Sequence, residues 1–450
     1  MDALLEQLYS IKPADIKQYQ KYLMVGGGTR PAPTIVRGKG VWLEDNTGKK
    51  YIDCTSQSWA MYLGFANDEF TATITEHLKN ITHVHQGFDT PSRFYLAKKL
   101  AEKAPPRINR VSFTVGGSSA VEGAMKIAVK NRENASEFIC LFDAYHGTSL
   151  GVFGSNWGST KAMGDYIGGS RFTRLTRQFI RVPNPYCYRC PLGLHRESCG
   201  MQCLKILRLT IERGVNGPTA GIIMEPLQAS GGQIIFPVEY HRGVREICDE
   251  YGIPLIWDEI QTYCRIGTWF ASGYYGVEPD IICLGKGLGG GFPIAATMIS
   301  DDLEGFAEDN EELHTFANNT VSQVAALKQI QMLEAGILEN CNRMGDYLGT
   351  ELKKMQNNYS QIGDVRQAGL HIGVELVEDA QTKVPAGTML KRVRSIAREK
   401  GVIFGVGGMH RNVLKVKPPF VITQQECDTV LTVFKEALDT VLRERSEKAI

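Results

Sequence analysis

Short apolar runs recur through the middle of the chain, each bounded by glycine, proline or charge. They are "RVSFTV" (110–115), "FICLFD" (138–143), "AGIIME" (220–225), "IPLIWDE" (253–259) and "DIICLG" (280–285). Segments with helical spacing of apolar residues lie between several of them, such as "GVREICDEYG" (243–252). Fully apolar short strands separated by helices predict a mostly parallel sheet covered on both faces. Near the start, residues 33–53 read as short strands with the turn "EDNTG" (Glu44–Gly48) between them. After about 335 the pattern changes: "IGVELVE" and "NVLKVKPPFVIT" read as strands and 421–446 as a terminal helix. The expected architecture is α/β. A large domain over 70–335 has a mostly parallel sheet flanked by helices. The N-terminal segment 1–69 and the C-terminal residues 336–450 together build a smaller α+β domain.

Composition narrows the function without naming it. The chain has 450 residues, with 50 Lys and Arg against 49 Asp and Glu, so a net charge of +1 offers no broad face for nucleic acid or other polyanions. No apolar run approaches the roughly 20 residues of a membrane span. The start, "MDALLEQLYSIKPADIKQ", lacks a basic stretch followed by an apolar one. Eleven cysteines, an odd number in a chain this long, fit a reducing cytoplasm better than a disulfide framework.

The chemistry concentrates where strands are expected to end. "CLGKGLGGGFPIAA" (283–296) sets Lys286 among glycines. It is not a phosphate-binding P-loop, because Asp280 and Gly287 stand where that motif needs Gly and Ser or Thr. Gly285, Gly287 and Gly290 satisfy the dinucleotide spacing, but that spacing must open a helix, and Ile294 to Ile299 read as a strand. Desolvation by apolar neighbours lowers the pKa of a lysine and makes it nucleophilic. "IPLIWDE" delivers Asp258 to the same sheet edge, and a carboxylate there is costly unless something positive meets it. "FTVGGSSAVEGAMKIAVKNR" (113–132) is a strand, a Gly-Gly-Ser-Ser turn and a helix whose free amides suit a phosphate at Gly117 and Ser118. "FDAYHG" (142–147) adds Tyr145, whose face can stack on a planar ring, and His146. Taken singly, each has a plainer reading: a solvated lysine, an exposed acid, a serine helix cap, a core aromatic. Taken together they specify pyridoxal 5′-phosphate, whose aldehyde a lysine holds and whose ring nitrogen a carboxylate pairs with.

Over nearly its whole length the chain also resembles a known family. "IIMEPLQASGG" (222–232), "LIWDEIQTYCRIG" (255–267), "PDIICLGKGLGGGFPIAA" (279–296), "HTFANN" (314–319) and "GVWLEDNTGKKYIDCTS" (40–56) are similar to stretches of the class III (ω-type) aminotransferases of PLP fold type I. The resemblance implies that Lys286 forms the Schiff base and moves the proton between Cα and C4′. It implies that Asp258 keeps the ring nitrogen protonated and that Gln261, one helical turn on, bonds the ring's 3′ oxygen. Gly117 and Ser118 would bind the phosphate, Tyr145 would stack on the ring, and His146 would support that loop. Glu225 would stand behind Gln261 at the gate of the substrate pocket. Thr315 would reach the phosphate of a neighbouring subunit's cofactor, which implies a homodimer with shared active sites. The substrates implied are an amine or amino acid and a keto acid.

Departures from the family's pattern fall on the substrate side. Lys415 in "NVLKVKPP" stands where the family usually has an arginine for the substrate carboxylate, and lysine lacks the bidentate fork. "SQSWAMY" (56–62) puts Trp59 where it could line the pocket. The family's usual Gly-His-x-His-Pro gives way to "GFANDEF" (64–70), and "DEIQTYCRIG" is one residue shorter than the usual loop. Cys187, Cys190, Cys199 and Cys203 are spaced C-x2-C-x8-C-x3-C, open to zinc, to part of an iron–sulfur cluster or to free thiols. Two rivals keep the cofactor, an amino-acid racemase or epimerase and a phospholyase. A cofactor-binding protein without turnover is a third.

Overall fold

The computed structural model describes residues 2–24, 32–156, 175–176, 178–307 and 311–448. Two seven-stranded sheets organise them. The order in the first is Ile108–Thr114, Ala295–Ser300, Ile281–Leu284, Leu255–Asp258, Thr219–Met224, Glu137–Leu141, Phe179–Val182. Ala295–Ser300 runs antiparallel to both its neighbours and the remaining pairs are parallel. The central strands read TAGIIM, LIWD and IICL, and every residue in them is buried. That is the physical reason for the unalternating pattern: helices cover both faces, so neither parity of side chain meets water. The helix Gly117–Lys130 packs Ala120, Val121, Ala124, Ile127 and Ala128 inward at helical spacing. The helix Val238–Tyr251 buries Tyr240, Val244, Ile247 and Cys248 and stops at Gly252, whose φ of 62° ends it in the left-handed region.

The second sheet joins the chain's two ends. Its order is Ile35–Lys39, Trp42–Asp45, Lys50–Cys54, Val402–Gly407, Val413–Val416, His371–Leu376, Ile362–Ala368. Lys50–Cys54 pairs in parallel with Val402–Gly407. The hairpin turn expected at Glu44–Gly48 forms around Asp45, whose carboxylate accepts from the Thr47 and Lys49 amides. The run expected as one long strand over 412–423 stops at Val416, because Pro418 and Pro419 cannot donate to a ladder. The strands Phe179–Val182, Ile362–Ala368 and Val402–Gly407 were not anticipated. The terminal helix spans Gln424–Lys448.

A buried junction holds the two sheets in register. Arg265 is fully buried, with its guanidinium 4.8 Å from the Tyr62 ring and 4.6 Å from that of Phe420. It donates to the Pro418 carbonyl at 2.6 Å and to Ser56 Oγ at 3.1 Å. Tyr62 Oη in turn donates to the Tyr263 carbonyl at 2.7 Å. The charge is met by two ring faces and by bonds from both terminal nitrogens, which offsets part of the cost of removing it from water.

Next to this junction the backbone takes an unusual course. Ser56, Gln57, Ser58 and Trp59 all have φ between 43° and 71°. Four consecutive left-handed residues, none of them glycine, cost roughly 1–2 kcal/mol each. Asp53 holds the turn by accepting from the Thr55 and Gln57 amides at 2.8 and 3.1 Å. Ser58 is exposed and its side chain carries no part of this holding network. Ser58→Gly should therefore stabilise the fold by ~0.5–1 kcal/mol, the relieved strain less glycine's extra chain entropy. A denaturant midpoint that falls in this variant would mean the turn is not strained.

Candidate active site

The strands that run the same way in the first sheet all end at one edge, and five of those ends supply one cavity. Thr114 leads to Gly117 and Ser118, Leu141 to Tyr145 and His146, and Met224 to Glu225; Asp258 ends its own strand, and Leu284 leads to Lys286. Together with Gly147, Ile260 and Gln261 these residues line a cavity of about 200 Å³. Three larger hollows, about 890, 750 and 270 Å³, contain none of this set. Convergence of polar groups, not size, marks the site.

Asp258 is 4% exposed. One of its oxygens accepts from His146 Nδ1 at 2.8 Å and the other from the Ile260 amide at 3.1 Å. The acceptor fixes the tautomer, so the His146 proton sits on Nδ1, and the buried Nε2 has no partner among the described residues. His146 thus holds the carboxylate more directly than it holds its own loop. Its backbone amide does bond Asn156 Oδ1, at 2.7 Å.

Glu225 is buried and accepts from the Tyr145 amide at 3.1 Å and the Ala229 amide at 2.9 Å. Burial, reinforced by the Asp258 charge, raises its pKa. Lys286 is partly buried and lines the cavity. Burial lowers its pKa, against the pull of Asp258 and Glu225. Its φ of 43° is a left-handed conformation for a non-glycine residue, held by the short helix Lys286–Gly289. Gln329 grips that turn from behind, donating to the Leu288 carbonyl at 3.2 Å.

These groups fit pyridoxal phosphate on structural grounds. The helix Gly117–Lys130 starts with no side-chain cap, leaving its first amides free for an anion. A side chain at Gly117 would meet Ile260 at 2.7 Å, so the backbone is kept bare where an anion would approach. Gln261 lines the cavity and receives a bond at Oε1 from Lys417 Nζ at 3.3 Å. It lies three residues after Asp258, in a single helix-like turn where Thr262 and Tyr263 donate to the Glu259 carbonyl. The strand ends and the chain reverses at once, so its side chain returns to the same edge.

Trp59 and Lys415, which the sequence places on the substrate side, are not among the residues lining this cavity. Lys415 is buried, and its ammonium sits 5.0 Å from the Trp59 ring. Glu225, Lys286 and Arg411 are its electrostatic neighbours. Lys417, which sequence reading overlooked, is fully buried with its Nζ 4.8 Å from the same ring. The signal for it was present, because K-x-K on a strand puts both lysines on one face. Thr315 stands exposed between Glu312 and the helix Thr320–Met332, away from its own chain's cavity.

The four cysteines all border one small cavity of about 20 Å³. The Cys187 and Cys199 thiols donate to the Pro185 and Arg196 carbonyls, each at 3.6 Å. Burial raises Cys187 and pushes Cys203 up to about 11. Among the described residues no group of three or more His, Cys, Asp or Glu is arranged to hold a metal ion.

Comparison with known proteins agrees with this geometry. The family described as aminotransferase class-III matches residues 26–438. An adenosylmethionine-8-amino-7-oxononanoate aminotransferase of Geobacter sulfurreducens is 33% identical over 90% of this chain and 92% of its own. A leucine/methionine racemase of Thermococcus litoralis is 32% identical over 95% of each. Among solved structures, an aminotransferase of Bacillus anthracis matches at a TM-score of 0.86 and 28% identity, covering 98% of this chain and 99% of that one. An amine transaminase from an uncultivated Pseudomonas species, solved in its PLP-bound form, matches at 0.83 and 27%, covering 93% and 98%.

The buried lysines leave a mark on stability. Burial lowers Lys415 to about 7 in the folded chain, against ~10.4 for an unfolded lysine. Between those values the unfolded chain binds a proton that the folded chain has shed, so stability rises with pH across that window. Lys415→Met should raise the cofactor-free protein's denaturant midpoint at neutral pH and flatten its rise toward pH ~10. An unchanged slope would mean that Lys415 keeps its proton in the fold.

Proposed function

Because the chain belongs to the class-III aminotransferase family, it is a pyridoxal-phosphate-dependent aminotransferase of α/β, fold type I architecture, and we propose that Lys286 is the amine that holds the cofactor. The observation that carries the assignment is the convergence of Lys286, Asp258, Glu225, Gln261 and His146 on one cavity at the strand ends. When bound, pyridoxal phosphate supplies an aldehyde for the amine and a ring that takes up electrons from the substrate's Cα.

The residues divide the remaining work. The Gly117 and Ser118 amides at the helix start hold the phosphate, with Gly117 giving the bare approach. Asp258, steadied by His146, keeps a proton on the ring nitrogen. Tyr145 covers a ring face and Gln261 meets the ring oxygen. Lys286 Nζ, whose pKa burial lowers, would hold the cofactor's aldehyde and, once released, would move the proton at the substrate's Cα. Trp59 and Lys415 border the substrate, an amine or amino acid in one half of the reaction and a keto acid in the other.

A racemase reading has specific support in two relatives, the leucine/methionine racemase at 32% identity and an alanine/serine racemase of Pyrococcus horikoshii at 28%. It keeps the same residues and returns the proton to Cα. Incubation with an amino donor alone separates the two. A transaminase passes the amino group to the cofactor and loses the visible absorbance of the lysine-bound form, whereas a racemase keeps it. We expect loss of the band with at least one donor in a screen of amines and amino acids. We expect Lys286→Ala to lack the band, and borohydride reduction of the wild type to label Lys286. A label on another lysine would sink the assignment.

We propose further that two copies of the chain share their active sites, in a reducing cytoplasm. The described cysteines are all unpaired, which agrees with that compartment, and among the described residues no helix is long and apolar enough to cross a membrane. Phe88, Phe94, Tyr95, Leu313 and Phe316 are all more than half exposed, and Asn318 ties their segments together by donating to the Phe88 carbonyl at 2.8 Å. An apolar patch of this kind, next to an exposed Thr315, suits a second copy whose cofactor phosphate Thr315 reaches. Thr315→Ala should weaken retention of the cofactor several-fold with little change in melting temperature. Sedimentation of the active holoenzyme as a monomer would rule out the shared site.

A further inference from the structure

A lysine with none of its surface exposed is an expensive way to fill space, since methionine occupies a similar volume without a polar head to desolvate. Lys417 is held there at several points. Its amide donates to the Cys54 carbonyl at 2.9 Å, and its own carbonyl accepts from Ser56 Oγ at 2.7 Å. Pro418 comes next and has its carbonyl gripped by Arg265. The Trp59 ring lies 4.8 Å from Nζ. The charged groups facing Nζ are Lys415, Arg265 and Lys286 on one side of the balance and Glu225 on the other, with His371 close by. Burial among those cations lowers its pKa well below the ordinary value. In either protonation state Nζ still has an N–H to give.

It gives it to Gln261 Oε1, at 3.3 Å. A glutamine amide has nearly the same shape either way round, so only its partners decide which end points where. With Oε1 taken up by Lys417, Nε2 is left for the cavity that Gln261 lines. We propose that Lys417 is a positioning residue, which turns the Gln261 amide so that a donor and not an acceptor meets the ring oxygen of the bound cofactor. This rests on the cofactor assignment above. The consequence is electrostatic. A donor stabilises negative charge on that oxygen, so the proton shared between it and the lysine-bound nitrogen leaves at lower pH. If the amide is free to reverse, its carbonyl meets the anion and the proton is held more tightly.

The test is a pH titration of the holoenzyme's visible absorbance, which reads that proton without turnover. Lys417→Met should raise the midpoint by about 0.5–1, and Lys417→Gln, which keeps an N–H donor, should move it by less than half as much. In a Gln261→Leu background Lys417→Met should shift nothing further, because Lys417 acts through the amide. Melting temperatures of all four variants identify any that fail to fold, and Lys417→Gln then stands in for Lys417→Met in the cycle. An equal shift with and without Gln261 would overturn the proposal in favour of a bare charge effect, and so would an unmoved midpoint in Lys417→Met. A wild type that shows no visible band would remove the cofactor assignment itself; a normal wild-type titration with an additive cycle removes only the role of Lys417.

Discussion

A carboxylate at the end of a completely buried strand is the constraint that the rest of this molecule answers. Asp258 cannot shed its charge into water, and each of its oxygens is met by a donor from the surrounding fold. Its field also reaches outward, raising the pKa of Glu225 and opposing the loss of the Lys286 proton. Burial sets the direction of both shifts, and the Asp258 charge adds to the one and opposes the other. A parallel sheet makes this possible, because it brings the ends of five strands, drawn from residues 108–284, to a single edge.

The second sheet contributes by closing over that edge. Arg265 lies only seven residues after Asp258, yet its partners are Ser56 from the start of the chain and Pro418 from near its end. The junction fixes the left-handed turn at 56–59 and the segment 415–418 together, which sets Trp59 across two buried lysines. Strain in the turn and desolvation of the lysines are both costs borne at the site. Packing of the large apolar core around Tyr62, Phe420 and Leu288 offsets them.

The groups that line the cavity and the Trp59–Lys415 group beside it differ in kind. Groups facing the cavity come from strand ends and a helix start, and their positions follow from backbone geometry. Trp59 and Lys415 come from segments near both chain ends, and their contact depends on the junction that joins them.

The parallel core, the strand-ending Asp258 and Lys286, the bare glycine turn at 116–117 and the hairpin around Asp45 were all legible in the sequence. Each is a local pattern: an apolar run, a turn residue or a helix start separated by a few positions. What the sequence left open are the pairings across great distances in the chain. His146 meets Asp258 across 112 residues and Lys417 meets Gln261 across 156. No local propensity announces a left-handed turn of four non-glycine residues, because each of them alone prefers another conformation. Such features exist only where the packed core outweighs local preference and where burial has already removed the water. The order of the chain determined which groups the site would contain; the folded core decided which of them touch and at what charge.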